Sequence, residues 1–128
     1  MTSAGIMARR IGILVNPDAG LGGRLGFKGS DGRAAEARAA GAEDRSGPRM
    51  RQTLQRCQNR LMEIEILTCS NRMGSDWIPM EHTVVFETPE QTFAETTREA
   101  VATLCEAGIE LLLYAGGDGT TRDIIEAL

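Results

Sequence analysis

The chain has 128 residues, 41% hydrophobic and 25% charged, with a formal net charge of −4. That is one domain's worth of sequence with enough apolar content for a single core, which excludes overall disorder. The acidic balance gives no general reason to bind nucleic acid or an anionic membrane, and no apolar run approaches the roughly 20 residues of a membrane span.

The N-terminus, residues 1–10, carries Arg9 and Arg10 but no following apolar stretch with a cleavage site, because Ile11 to Val15 is too short. The expected location is therefore the cytoplasm. Ile11-Gly12-Ile13-Leu14-Val15 reads as a first buried strand, and Asn16-Pro17 stops it, since proline cannot continue a central ladder. Residues 18–32 hold six glycines and must form an irregular loop. Residues 33–42 are alanine-rich and could be helical, but Gly41 and the polar run 43–47 break them, so this is the section expected to be mobile.

A helix is predicted from Pro48, which suits a first helical turn. Met50, Leu54, Cys57 and Leu61 then recur at helical spacing. Ile64 to Thr68 reads as a second strand, 71–79 as a loop or single turn, and Thr83 to Phe86 as a short third strand. Thr88-Pro89-Glu90-Gln91 has the form of a helix start, with Thr88 as N-cap. Phe93, Thr97, Ala100, Val101, Leu104 and Cys105 make its apolar face, and Gly108 sits where a left-handed cap ends a helix. The fourth strand is predicted over Ile109 to Tyr114. The cysteines, Cys57, Cys69 and Cys105, are odd in number and widely spaced, so they form neither a disulfide framework nor a zinc site. Cys57 and Cys105 read as core thiols, and Cys69 ends a strand. The single histidine, His82, reads as a strand-edge residue.

Strands alternating with helices predict an α/β fold, a three-layer parallel sheet covered on both faces, with ligands bound beyond the carboxyl ends of the strands. Two glycine-rich loops leave from that end. The second, Tyr114-Ala115-Gly116-Gly117-Asp118-Gly119-Thr120, is the most informative stretch in the chain. Three glycines around one acid let the backbone approach a ligand and aim its N–H groups at negative charge. A helix predicted from Thr121 adds free N–H groups and the positive end of its dipole. A phosphate can sit there with Asp118 beside it, and a plain turn needs neither three glycines nor a central acid. The first loop, after Asn16, fits neither a P-loop nor a dinucleotide fingerprint: Phe27 precedes Lys28, and Leu25 stands where the last glycine should be. It remains a glycine-heavy segment with two cations, Arg24 and Lys28, able to close over phosphates. Lys28 is the only lysine, against thirteen arginines.

Gly116-Gly117-Asp118-Gly119-Thr120 resembles the signature shared by NAD kinases, diacylglycerol kinases and 6-phosphofructokinases. The longer string through Thr121-Arg122-Asp123-Ile124 is similar to the NAD kinases that use ATP or polyphosphate, whose usual form has alanine at position 121. The first loop, from Val15 to Arg24 and from Gly26 to Gly32, resembles the N-terminal motif of the same group. The middle, Ile66 to Gly74, departs from the expected form, which has more glycine and a glutamate before Met73-Gly74.

This resemblance implies a Rossmann-like N-terminal domain over 1–128, ending before a largely β second domain that would complete the dinucleotide site. It implies a divalent metal such as Mg2+, ATP or polyphosphate as donor, and phosphoryl transfer to the 2′-hydroxyl of the adenosine ribose of NAD, giving NADP. It also implies a homo-oligomer in the full-length protein. Asp118 is the expected general base or hydroxyl-positioning acid. Gly116, Gly117, Gly119 and Thr120 would cradle phosphate, with Asn16, Gly22, Gly23 and Lys28 on the opposite lip. Arg122 and Asp123 are secondary candidates, and no protein metal ligand is assigned. The same motifs leave open a lipid or sphingoid-base kinase, an accessory nucleotide-binding protein of the kind associated with acetoin catabolism, and a fragment without function. The last two readings, like the two-domain one, expect no turnover from this chain alone.

Overall fold

A computed structural model describes residues 9–19, Glu36 and 44–128. Four strands, β1 (Arg9–Val15), β2 (Ile64–Cys69), β3 (Thr83–Phe86) and β4 (Leu111–Ala115), pair in the order β3-β2-β1-β4, all parallel. β1 begins two residues before its apolar run because both arginines find partners at the amino-terminal rim. Arg9 pairs with Glu110 at 2.9 Å and Arg10 with Glu65 at 2.6 Å. Arg10 also donates to the carbonyl of Ala107 at 2.9 Å, satisfying an end of the helix that precedes β4.

Three helices complete the layers: α1 (Ser46–Cys57), α2 (Ala94–Glu106) and α3 (Asp118–Ala127). The pleat sends alternate strand residues to opposite faces. On one face Ile13, Val15 and Ile66 pack with Met50 and Leu54 of α1. On the other, Leu14, Leu67 and Cys69 pack with Ala100, Val101 and Leu104 of α2 and Ile124 of α3. This is the three-layer α/β arrangement expected from the sequence.

Three local expectations are corrected. α1 starts at Ser46 rather than Pro48, and Ser46 and Gly47 are buried. Gly47 lies against the Trp77 ring, where any Cβ would collide with the indole, so this glycine serves helix packing instead of breaking it. Asp44, just before it, is paired with Arg72.

Thr88 is not an N-cap. Its N–H donates to Ser70 Oγ at 2.7 Å and its hydroxyl donates to the Ser70 carbonyl at 2.9 Å, tying the segment after β3 to the end of β2. Those tertiary bonds outcompete the local capping pattern, and α2 begins only at Ala94, where Thr96 Oγ1 accepts from the Phe93 N–H at 3.1 Å.

The apolar face of α2 keeps Thr97, Ala100, Val101 and Leu104 in the core, but Phe93 is 62% exposed and Cys105 is exposed. Cys105 is therefore not a core thiol, and Cys57 is only half-buried. Neither is among the buried hydrophobic residues of its helix, which are Met50 and Leu54 on α1 and Ala100, Val101 and Leu104 on α2. Gly108 has φ +86°, the left-handed conformation expected just past α2.

Candidate functional site

The strand order creates one crevice. From β1 the chain moves to β2 and then β3, and α2 carries it back across the sheet to place β4 on the other side of β1. The helix described after β1 packs on one face and the helix after β4 on the opposite face. Segments leaving the carboxyl ends of β1 and β4 thus diverge, and this reversal point is where open α/β sheets bind ligands.

Two segments meet there. The Asn16 N–H donates to the Ala115 carbonyl at 2.9 Å, extending the β1–β4 ladder one step beyond the strands. The Asn16 side chain then spans the gap: Nδ2 donates to Thr120 Oγ1 at 2.8 Å, while Oδ1 accepts from the Asp18 N–H at 3.1 Å. Asn16 and Thr120, both named from the sequence, are therefore in direct contact. Thr120 is only 3% exposed, so its hydroxyl is committed to the Asn16 tether.

The glycine turn is shorter than expected. α3 begins at Asp118, not Thr121, with Gly117 as its N-cap residue at φ −99°. An acid in the first helical turn suits the positive end of the dipole, and this preference was the signal for the earlier start. Gly116, Gly117, Asp118 and Gly119 are all exposed at the start of the helix. Among the described residues, Asp118 has no side-chain hydrogen bond or ion pair.

The glycines of this turn differ in what requires them. At Gly116 a Cβ would lie 2.5 Å from Thr120 Oγ1 and 2.6 Å from Thr120 Cβ, so packing alone demands glycine there. At Gly117 and Gly119 a Cβ would meet nothing within 4 Å, and neither backbone is left-handed. Glycine inside a helix costs about 0.5–1 kcal/mol relative to alanine, so the fold has no use for it at 119. An open approach to the N-terminus of α3 is the one thing gained.

Gly22, Gly23 and Lys28 lie outside the described residues, as does Arg24. Asp123 pairs with Arg98 of α2 at 3.2 Å, and Arg98 also reaches Glu126 at 3.4 Å, so Asp123 serves helix–helix contact. Arg122 is exposed. Burial pushes the Cys69 thiol up to about 12, which leaves it protonated and unreactive at neutral pH. His82 sits at the opposite, amino-terminal end of the sheet, with Nδ1 2.8 Å from the Met80 carbonyl, beside an open groove lined by Leu61, Met62, Glu65 and Met80. Among the described residues, no group of three or more His, Cys, Asp or Glu is placed to hold a metal. No helix among them is long and apolar enough to cross a membrane.

A family model described as the ATP-NAD kinase N-terminal domain matches residues 11–128, from β1 through α3. The chain belongs to this family. No curated relative and no solved structure matches it. In this NAD kinase-family domain the match takes in both the Asn16 turn and the Gly116 turn, the two segments that the sheet brings together.

Proposed function

We propose that the start of α3 binds the phosphates of a nucleotide, and that the domain serves transfer of a phosphoryl group to the 2′-hydroxyl of the adenosine ribose of NAD. The observation that carries this reading is the bare N-terminus of α3. Glycines that the fold does not require at 117 and 119 flank a carboxylate with no partner among the described residues, at the sheet's switch point. Helix N-termini of this kind attract phosphate through free N–H groups and the dipole. The family match favours NAD as acceptor over the lipid, sphingoid-base and accessory-protein alternatives.

In this reading the ribose 2′-oxygen attacks the terminal phosphorus of ATP or polyphosphate. The bond to the leaving phosphate oxygen breaks, and Asp118 accepts or orients the hydroxyl proton. The amides of Gly117, Asp118 and Gly119 stabilise charge on the phosphates, while Asn16 and Thr120 hold the two lips of the crevice at fixed separation. Lys28, Gly22 and Gly23 are further phosphate-binding candidates on the sequence alone. Mg2+ commonly binds through one or two carboxylates plus substrate phosphates. One free carboxylate therefore fits a metal that arrives on the donor, and the metal would neutralise phosphate charge. The family model describes an N-terminal domain, which supports a second domain as the source of the remaining NAD contacts.

Asp118→Asn tests the assignment in a catalytically competent protein containing this domain. Loss of a positioned acid–base group is expected to cut NADP formation about 10²–10⁴-fold, with the melting temperature nearly unchanged. Turnover close to that of the unsubstituted protein would remove Asp118 from the chemistry.

A further inference from the structure

The turn that carries Asp118 has little of its own to hold it. Gly116 and Gly117 contribute no side chains, and no side chain caps the first turn of α3. Thr120 is tied to Asn16 across the crevice, as described. Thr121 is held from a different direction, by Tyr114 of β4.

Thr121 Oγ1 lies 2.7 Å from the Tyr114 phenolic oxygen and 3.3 Å from the Gly117 carbonyl oxygen. A threonine hydroxyl has one proton to give, and a carbonyl only accepts. Either hydroxyl can be the donor at the 2.7 Å contact; with the Thr121 proton given to Gly117, the Tyr114 phenol donates to Thr121. The relay runs from Tyr114 O–H to Thr121 O–H to the Gly117 carbonyl. That carbonyl also receives the Thr121 N–H at 3.1 Å, so it takes two hydrogen bonds from one residue. It belongs to the peptide joining Gly117 to Asp118, and fixing its plane fixes the direction of the Asp118 N–H. The anchor is itself packed. Tyr114 stands opposite Leu14 in the sheet and packs against the cluster shared by α2 and α3.

We propose that Tyr114 and Thr121 are positioning residues of the candidate site: through the Gly117 carbonyl they set the orientation of the Gly117–Asp118 peptide without touching ligand. The inference rests on the phosphate-binding reading above, because that reading gives the peptide's orientation its consequence. It explains how a turn made of glycines, free to adopt many conformations, presents one set of amides.

Three variants of this chain separate positioning from general stability. Thr121→Val removes the hydroxyl but keeps the branched shape and nearly the same helix propensity. Tyr114→Phe removes the donor, and Thr121→Ser keeps the relay. Residue-resolved amide hydrogen exchange supplies the readout, with the Thr121 N–H as reporter and the Leu104 and Ile124 amides as controls for global opening. Thr121→Val and Tyr114→Phe are expected to speed exchange at Thr121 about 2- to 10-fold relative to the controls, the equivalent of one hydrogen bond. Thr121→Ser is expected to restore protection.

Equal acceleration at all three amides, unchanged exchange at Thr121, or failure of serine to restore it would each overturn the relay. ATP titration of the unsubstituted chain, followed at the Asp118 and Gly119 amides, tests the nucleotide reading separately. Shifts there that weaken in Tyr114→Phe support the positioning role. Absence of shifts in the unsubstituted chain removes the phosphate-binding reading, and with it the site that the pair would position. In either case the exchange rates decide whether the relay itself exists.

Discussion

Gly119→Ala should make the domain more stable and worse at its task. The added Cβ meets nothing within 4 Å and the backbone there is helical with ordinary φ, so no strain opposes it. Replacing a helical glycine by alanine also narrows the unfolded ensemble, and together these effects are worth about 0.5–1 kcal/mol. In a domain of this size that corresponds to a rise in melting temperature of about 2–5 °C.

If phosphate approaches the first-turn amides, the same methyl stands in its path. Loss of one charge-assisted hydrogen bond is worth about 1.5–3 kcal/mol, a roughly 10- to 150-fold weakening of nucleotide affinity. Gly116→Ala supplies the contrast. Its Cβ would sit 2.6 Å from Thr120 Cβ, a distance that no rotamer change relieves, and the start of α3 must retreat by about 0.8 Å to reach the 3.4 Å of ordinary contact. Overpacking of that kind costs about 1–3 kcal/mol. Urea denaturation and calorimetric ATP titration of both variants supply the numbers. A Gly119→Ala protein that gains stability and binds ATP unchanged would refute the claim that this glycine is kept for a ligand.

Two other outcomes are expected. Residues 1–128 alone, incubated with ATP, magnesium and NAD, should give no NADP above a protein-free control, because phosphoryl transfer depends on positioning and the proposed reading assigns the remaining acceptor contacts to a second domain; concentration-dependent NADP formation would overturn that proposal. The Cys69 thiol, raised from 9.0 to about 12 by burial, is still protonated in the folded state when it ionises in the unfolded one. Above pH 9 the unfolded state binds fewer protons, so stability should fall as pH rises from 9 towards 12, by up to about 1.4 kcal/mol per pH unit. Urea unfolding across that range should show a shallower decline in Cys69→Ala, and parallel declines would assign the loss to other groups.

The sheet was legible because buried parallel strands announce themselves as apolar runs: Ile11 to Val15, Ile64 to Thr68 and Thr83 to Phe86 all fall within β1, β2 and β3. Helix starts were less legible, for reasons particular to each. Thr88-Pro89 has every local mark of a cap, but Ser70 captures Thr88 from a residue far away in sequence, and no local pattern carries that information. Gly47 looks like a breaker until Trp77 is placed beside it.

At the site, the type and clustering of residues pointed to the carboxyl end of the sheet. Asn16 read as a residue of the phosphate site, and what the sequence did not show is that its carboxamide spans to Thr120 and Asp18, a contact that depends on β1 and β4 being neighbours. An Asn-Pro pair at a strand end does signal an Asx-type turn, which was the available hint. The distinction among Gly116, Gly117 and Gly119 was invisible in the sequence, because it lies in what surrounds each Cβ position.

The central claim is that phosphate binds at the start of α3, in the crevice between β1 and β4. The most direct measurement is residue-resolved amide chemical shifts of the isotopically labelled chain during titration with ATP and, separately, tetrapolyphosphate. Both ligands are predicted to move the Gly117, Asp118, Gly119 and Thr120 amides and to leave Met62, Met80 and His82 at the far end of the sheet unmoved. Shifts confined to that far end, or none anywhere at millimolar ligand, would contradict the claim.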